Sequence, residues 1–382
     1  MQAASTNAEA ASPRVRGHDQ KLKFLGGNDF HLALRARVDE FFRSTGKRPR
    51  DCWQMYLKTA IIAAWFAASY LLLVFWADAW WEAVPLSLSL ALAVGAIGFN
   101  VMHDGGHKAY SDRQWVNSAM AMSLDFVGAS SYIWRWKHSV FHHTYCNIQS
   151  YDADMDLGAV ARLAPFQKLR FYQRWQHWYI WLMYGLMTIR WQLWGDFRDL
   201  IAGDAGTLKF PRPKGWALAN LIAGKLWFVT LAFVIPLFFH SFWVVLAFYA
   251  LSMAVTGLLL AVVFQLAHCV EEAKFEPEPD ASGEVSNAWA VHQIETTVNF
   301  ARRSRLLSWY VGGLNFQIEH HLFPRVCHIH YPALSRVVEE TCREYDVNYQ
   351  EHGTFWRGIV SHFRWLRRMS REEGTVAPAA QA

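Results

Sequence analysis

Four stretches of this chain, at about 57–76, 84–102, 217–239 and 242–267, are long and nearly free of charge. A helix crossing the hydrocarbon of a bilayer needs about 20 such residues. Inside lipid every backbone N–H and C=O must pair within its own segment, which leaves helices or closed barrels as the only spanning forms. The expected fold class is therefore all-α integral membrane, with four transmembrane helices. One charge, Lys225, falls inside the third stretch. Polar segments between the stretches imply a substantial aqueous part.

The loops set the topology. Spans one and two are joined by Ala77-Asp78-Ala79-Trp80-Trp81-Glu82-Ala83, and spans three and four around His240-Ser241, with no Lys or Arg in either. The segment before span one carries Arg14, Arg16, Lys21, Lys23, Arg35, Arg37, Arg43, Lys47, Arg48 and Arg50. Positive loops stay in the cytosol. Two hairpins follow, with both termini and the central segment cytoplasmic, in a bacterial inner membrane. Ser118 to Trp134 and Trp175 to Trp194 are aromatic but carry Asp125, His177 and Arg190, and are expected to lie in the interface. Residues 1–20 and 372–382 read as disordered tails around one membrane domain, 21–371. Met1 to Pro13 has no apolar core and is not a signal peptide. Five cysteines without a CxxC pair argue against a disulfide framework or zinc ribbon. A net charge of +5 without a nucleic-acid module points to lipid, not nucleic acid.

Histidines carry the chemistry. Among the 17 are His103-Asp104-Gly105-Gly106-His107, His138-Ser139-Val140-Phe141-His142-His143 and Gln317-Ile318-Glu319-His320-His321, with His268 at the end of span four. Helical residues four apart share a face, so His103 with His107, and His138 with His142, are each expected to aim at one point. His143 is turned by about 100° from His142, so an adjacent pair suits two nearby metals or brackets one. The hairpins bring every cluster to the cytosolic side. Imidazole suits Zn, Cu, Fe and Ni. Eight imidazoles exceed the four positions of one zinc, and two metals are the natural count. Asp152, Asp154 and Asp156 lack the glycine and closing glutamate of a calcium loop. Asp104 and Asp156 are expected to orient ligand rings, with His292 a further candidate. His328 and His330 are expected at the surface or an interface.

The motifs HDGGH, HSVFHH and QIEHH resemble the three histidine boxes of membrane fatty-acid desaturases. Gln317 at the head of the third box is similar to the front-end desaturases, which act between an existing double bond and the carboxyl end. The resemblance runs from about Lys21 to Tyr349. It implies a di-iron centre held by His103, His107, His138, His142, His143, His268, His320 and His321, with Gln317 as a further ligand. It also implies O2 as co-substrate and a fatty-acyl substrate carried as acyl-CoA or acyl-lipid. No HPGG haem motif occurs, so electrons are expected from a separate ferredoxin or free cytochrome b5. Trp134, Trp136, Phe141, Trp289 and Phe316 are expected to line an acyl tunnel, and Arg302, Arg303 and Arg305 to meet a headgroup. The alternatives are a hydroxylase or ketolase on the same scaffold, and, more remotely, a non-enzymatic metal-containing receptor.

Overall fold

The structure is a computed structural model that describes residues 21–371; the expected disordered tails lie outside them. Four helices have the length and apolarity to cross a bilayer: Trp53–Phe75, Trp80–Gly106, Trp216–Leu237 and Phe242–His268. They coincide with the expected stretches. The second is longer than read, because it continues through the first histidine box. At 27 residues it is about 40 Å long.

Exposure is inverted along these helices. Only 11% of the apolar window in the third span is buried, and 22% in the first. Their leucines, tryptophans and phenylalanines point outward, which is favourable only where the surroundings are hydrocarbon. The hairpin turns are closed locally. Backbone N–H groups of Asp78 and Ala79 donate to the Glu82 carboxylate at 3.1 and 3.2 Å, and His240 Nε2–H donates to the Val74 carbonyl at 2.8 Å, tying the two tips together.

Neither aromatic stretch is among the four helices long and apolar enough to cross a bilayer. The first breaks into short helices, Gln114–Ala121, Ser123–Phe126 and Ser131–Trp134. The second forms a helix, Gln176–Arg190, that packs lengthwise on the fourth span. A β-carbon at Gly257 would meet the Tyr184 and Gly185 carbonyls. Its opposite face exposes Trp178, Leu182 and Leu186 at helical spacing. It is thus seated beside a span with an apolar stripe turned outward. Lys225 of the third span is held here. Its ammonium donates to the carbonyls of Gly128 and Gln192, at 2.7 and 3.0 Å, and to the buried Asp196 carboxylate at 2.7 Å. An intramembrane charge needs such partners.

At the histidine end of the bundle a helical cap closes over the spans. Phe30, Leu34, Val38 and Phe42, one face of helix Asp29–Thr45, pack against Tyr331, Leu334 and Val338 of helix Tyr331–Glu344. Helix Phe355–Met369 turns Trp365, Leu366 and Met369 onto Leu266 and Ala267 of the fourth span. Among the described residues the sheet content is three two-stranded pairs.

Candidate metal centre

Each histidine cluster sits where a helix changes character. The second span winds as a π-helix over Ile97–Met102 before His103, and the second box lies in a π-helix, Arg135–His142. Such wider turns occur mostly at functional sites. The third box is the short helix Gln317–Leu322, and His268 is the last residue of its span.

The π-turn changes one expectation. His138 and His142 fall in different groups, and it is the five-residue step of the π-helix that brings His138 and His143 together, their Nε2 atoms 3.3 Å apart. The side chains form two groups instead. Ligand atoms of His103, His107, His138 and His320 lie within 4.8 Å of one another, and so do those of His142, His268, His321 and the Cys146 thiol. The adjacent pair His320 and His321 divides between the groups. His143 stands between them, its ring centroid 4.4 Å from His107, 4.5 Å from His320 and 4.3 Å from His321.

The rings are anchored from behind. His142 Nδ1–H donates to Asp152 Oδ2 at 2.9 Å, and His321 Nδ1–H to Gln293 Oε1 at 2.8 Å. His320 Nδ1 meets the Tyr331 hydroxyl at 3.2 Å, and His138 Nδ1 lies 3.5 Å from Asp154. His268 Nδ1 faces the Cys146 thiol at 3.4 Å. Nε2 of His107, His142, His320 and His321 is buried without a hydrogen-bond partner, as is Nδ1 of His143, whose Nε2 lies 3.3 Å from His138 Nε2. Burial holds His143, His320 and His321 well below the ordinary imidazole range, so they are neutral. In His320 and His321 a neutral imidazole with its outer nitrogen fixed and its inner nitrogen unpaired is what metal ligation requires, while at His142 burial is outweighed by Asp152 and Asp154, which move its pKa up. The donor set fits a histidine-bound metal centre.

Other residues settle differently. Asp104 accepts from Nδ1–H and the backbone N–H of His328, at 2.9 and 3.3 Å, rather than from a box histidine. Asp156 is exposed and accepts the Gly158 N–H at 2.7 Å; Asp152 and Asp154 take the role expected of it. His292 is buried and donates from Nε2 to the Cys146 carbonyl at 2.8 Å, its pKa pushed down to about 4 by burial. Gln317 donates its amide to His268 Nε2 at 2.9 Å, at the edge of the second group. His328 and His330 are buried, not superficial; the Asp104 carboxylate and the Arg48 carbonyl draw their rings inward.

The aromatic candidates separate. Trp134 stacks on His138 at 4.7 Å, and a β-carbon at Gly106 would overlap its indole, which explains a glycine before His107. Phe141 and Trp136 pack together on the far side of the second box. Trp289 and Phe316 belong to the core behind the third box. Arg302 is spent internally on Glu339, Glu351 and the Tyr349 hydroxyl, while Arg303 and Arg305 are exposed. Reading the sequence missed Phe264, one turn before His268 and 5.1 Å from His142, as well as Gln293 and Tyr331. The i,i+4 step from His268 to Phe264 was the one available signal.

The fatty acid desaturase family model matches residues 78–353. The chain is 37% identical to the sn-1 linoleoyl-lipid 6-desaturase of Arthrospira platensis, over 94% of this chain and 97% of that protein. It is 35% identical to the sn-1 linoleoyl-lipid 6-desaturase of Synechocystis sp., over 92% and 98%. It is 36% identical to the acyl-lipid (8-3)-desaturase of Physcomitrium patens, over 90% and 72%. With four membrane helices and a histidine-rich metal site at one end, the chain belongs to the fatty acid desaturase family.

Proposed function

We propose that this enzyme is an acyl-lipid desaturase of the front-end type, introducing a double bond near the carboxyl end of a membrane-lipid acyl chain. Its relatives named as linoleoyl-lipid 6-desaturases support position 6 of an already unsaturated chain. The observation that carries the chemistry is the paired arrangement of imidazoles, in two groups with His143 between them. His103, His107, His138 and His320 would hold one iron, and His142, His268 and His321 the other, with His143 shared and Gln317 alongside. Two irons with O2 would supply the oxidising power to remove hydrogens from unactivated methylenes.

The chain's own residues do the rest. Asp152, Gln293 and Tyr331 fix ring orientation, so each free nitrogen stays aimed inward. Trp134 and Phe264 cover the rings with apolar surface and keep water from the reacting carbons. Overall, two methylene hydrogens, O2, two electrons and two protons give one double bond and two waters. The electrons come from a ferredoxin or free cytochrome b5. The Lys/Arg-free hairpin tips support a cytoplasmic metal site in a bacterial inner membrane.

Gas chromatography–mass spectrometry of lipids from cells expressing the chain with linoleate tests this reading. A new double bond at carbon 6 is expected. A hydroxylated product without one would reverse the choice in favour of the hydroxylase.

A further inference from the structure

Two cysteines outside the histidine groups meet across the fold. Cys52 immediately precedes the first span, and Cys327 follows the third-box helix. The Cys327 N–H donates to the Pro49 carbonyl at 2.8 Å, strapping the two segments together. Both thiols are free and share a small packed cluster with Met55, Tyr110 and Val116. Cys52 packs against the cluster that holds Cys327, and its thiol also faces the Arg48 carbonyl at 3.5 Å. Cys327 is fully buried, whereas Cys52 is partly exposed. His330 Nε2–H is shared between the Arg48 carbonyl at 2.9 Å and Cys52 Sγ at 3.3 Å.

This arrangement separates two chemical roles. The neighbouring Cys327 thiol and the His330 Nε2–H 3.3 Å away bring the Cys52 thiol down to about 5, against the opposing effect of burial. Burial pushes Cys327 up, so it keeps its proton. A reachable thiolate beside a buried thiol is the pattern of a peroxide-reactive cysteine with its resolving partner.

We propose that Cys52 and Cys327 form a reversible, peroxide-sensitive thiol pair that closes to a disulfide and slows the enzyme. The Cys52 thiolate attacks hydrogen peroxide; an S–O bond forms, the O–O bond breaks, and hydroxide leaves to be protonated to water. The Cys327 thiol then gives up its proton and attacks the Cys52 sulfur. An S–S bond forms and the S–O bond breaks, releasing the second water. Two thiols lose two electrons, and one peroxide is reduced to two waters. A dithiol reductant reverses the change by exchange. The next residue, His328, holds Asp104 of the first histidine box through two hydrogen bonds. Drawing Cys327 toward Cys52 therefore pulls on the turn that carries His103 and His107. The slowing, unlike the disulfide, rests on the desaturase reading.

The test uses the full-length, iron-loaded protein in lipid nanodiscs, treated with equimolar hydrogen peroxide and then alkylated. Peptide mapping is expected to find a Cys52–Cys327 disulfide that dithiothreitol removes. In Cys327→Ser, dimedone is expected to label Cys52. Should that variant not fold, alkylation rates of the wild type at pH 7 serve instead, with Cys52 reacting at least tenfold faster than Cys146, Cys269 and Cys342. No such disulfide, or Cys52 reacting no faster than the buried thiols, overturns the pair. Turnover is expected to fall at least threefold on oxidation, to return with dithiothreitol, and to stay unchanged in Cys52→Ser. A disulfide that forms while turnover is unaffected overturns the switch and leaves the disulfide chemistry standing. Metal content, measured alongside, is expected to be unchanged; loss of iron in step with the activity would overturn the switch in favour of damage at the metal site.

Discussion

Asp152 does three things at once. Its Oδ2 accepts from His142 Nδ1–H and from the Asn147 backbone N–H, both at 2.9 Å, and its Oδ1 accepts the Asp154 N–H at 3.0 Å. Three donors converge on two oxygens, so an amide cannot replace the carboxylate. In Asp152→Asn one NH2 group must face a donor, either the Asp154 N–H or the pair from His142 and Asn147, and the negative charge beside His142 is lost. Iron content and turnover are expected to fall 10- to 100-fold, the usual cost of removing a ligand's support, with the protein still eluting as wild type in size exclusion. Full iron loading with unchanged turnover would refute this role. The box histidines themselves were legible, because their spacing repeats and because they fall at one end of the hairpins. Asp156 was chosen over Asp152 because both have the same local pattern. Only the turn after the second box, with Asn147 and Ser150 in left-handed conformations, decides which carboxylate faces inward.

At the level of elements, hydropathy marked the spans to within a few residues, since length and apolarity are properties a bilayer reads directly. The π-turns were invisible. No residue type announces them, yet the second-box π-turn brings His138 against His143, five residues on. The Lys225–Asp196 pair was half legible: the lysine stood out within an apolar stretch, but its partner lies 29 residues earlier in another element. Asp196 also accepts from the Ser130 N–H and Trp191 Nε1–H at 2.7 and 2.8 Å, so one carboxylate fastens three segments. Lys225→Met would strand a buried charge, and a loss of about 3 kcal/mol is expected. Adding Asp196→Asn should cost less than the sum of the single changes, because the two side chains act on one interaction. Thermal unfolding in detergent measures both. Strict additivity would mean the pair is not coupled.

On the scale of the whole molecule, the metal site is a knot of segments remote in sequence. Residues 103–107, 138–143, 268 and 320–321 come from two spans, a π-helix and the cap. Nothing in the sequence shows their separations, but the loop charges show that all of them end on one side. Without metal, five buried ring nitrogens have no partner to replace it, and buried polar groups left unpaired cost stability. The bundle and the cap each have apolar packing of their own, but it is the shared ligands that join the second and third boxes to the histidines of the spans. On the di-iron reading, removing the metal with a chelator should therefore lower Tm and loosen the structure unevenly. Hydrogen exchange is expected to speed up across 138–155 and 317–331 while the middles of the spans stay protected, and ferrous iron should restore the original pattern. Identical exchange with and without iron would mean the cap holds those imidazoles in place by packing alone, and that metal binding adds nothing to the fold.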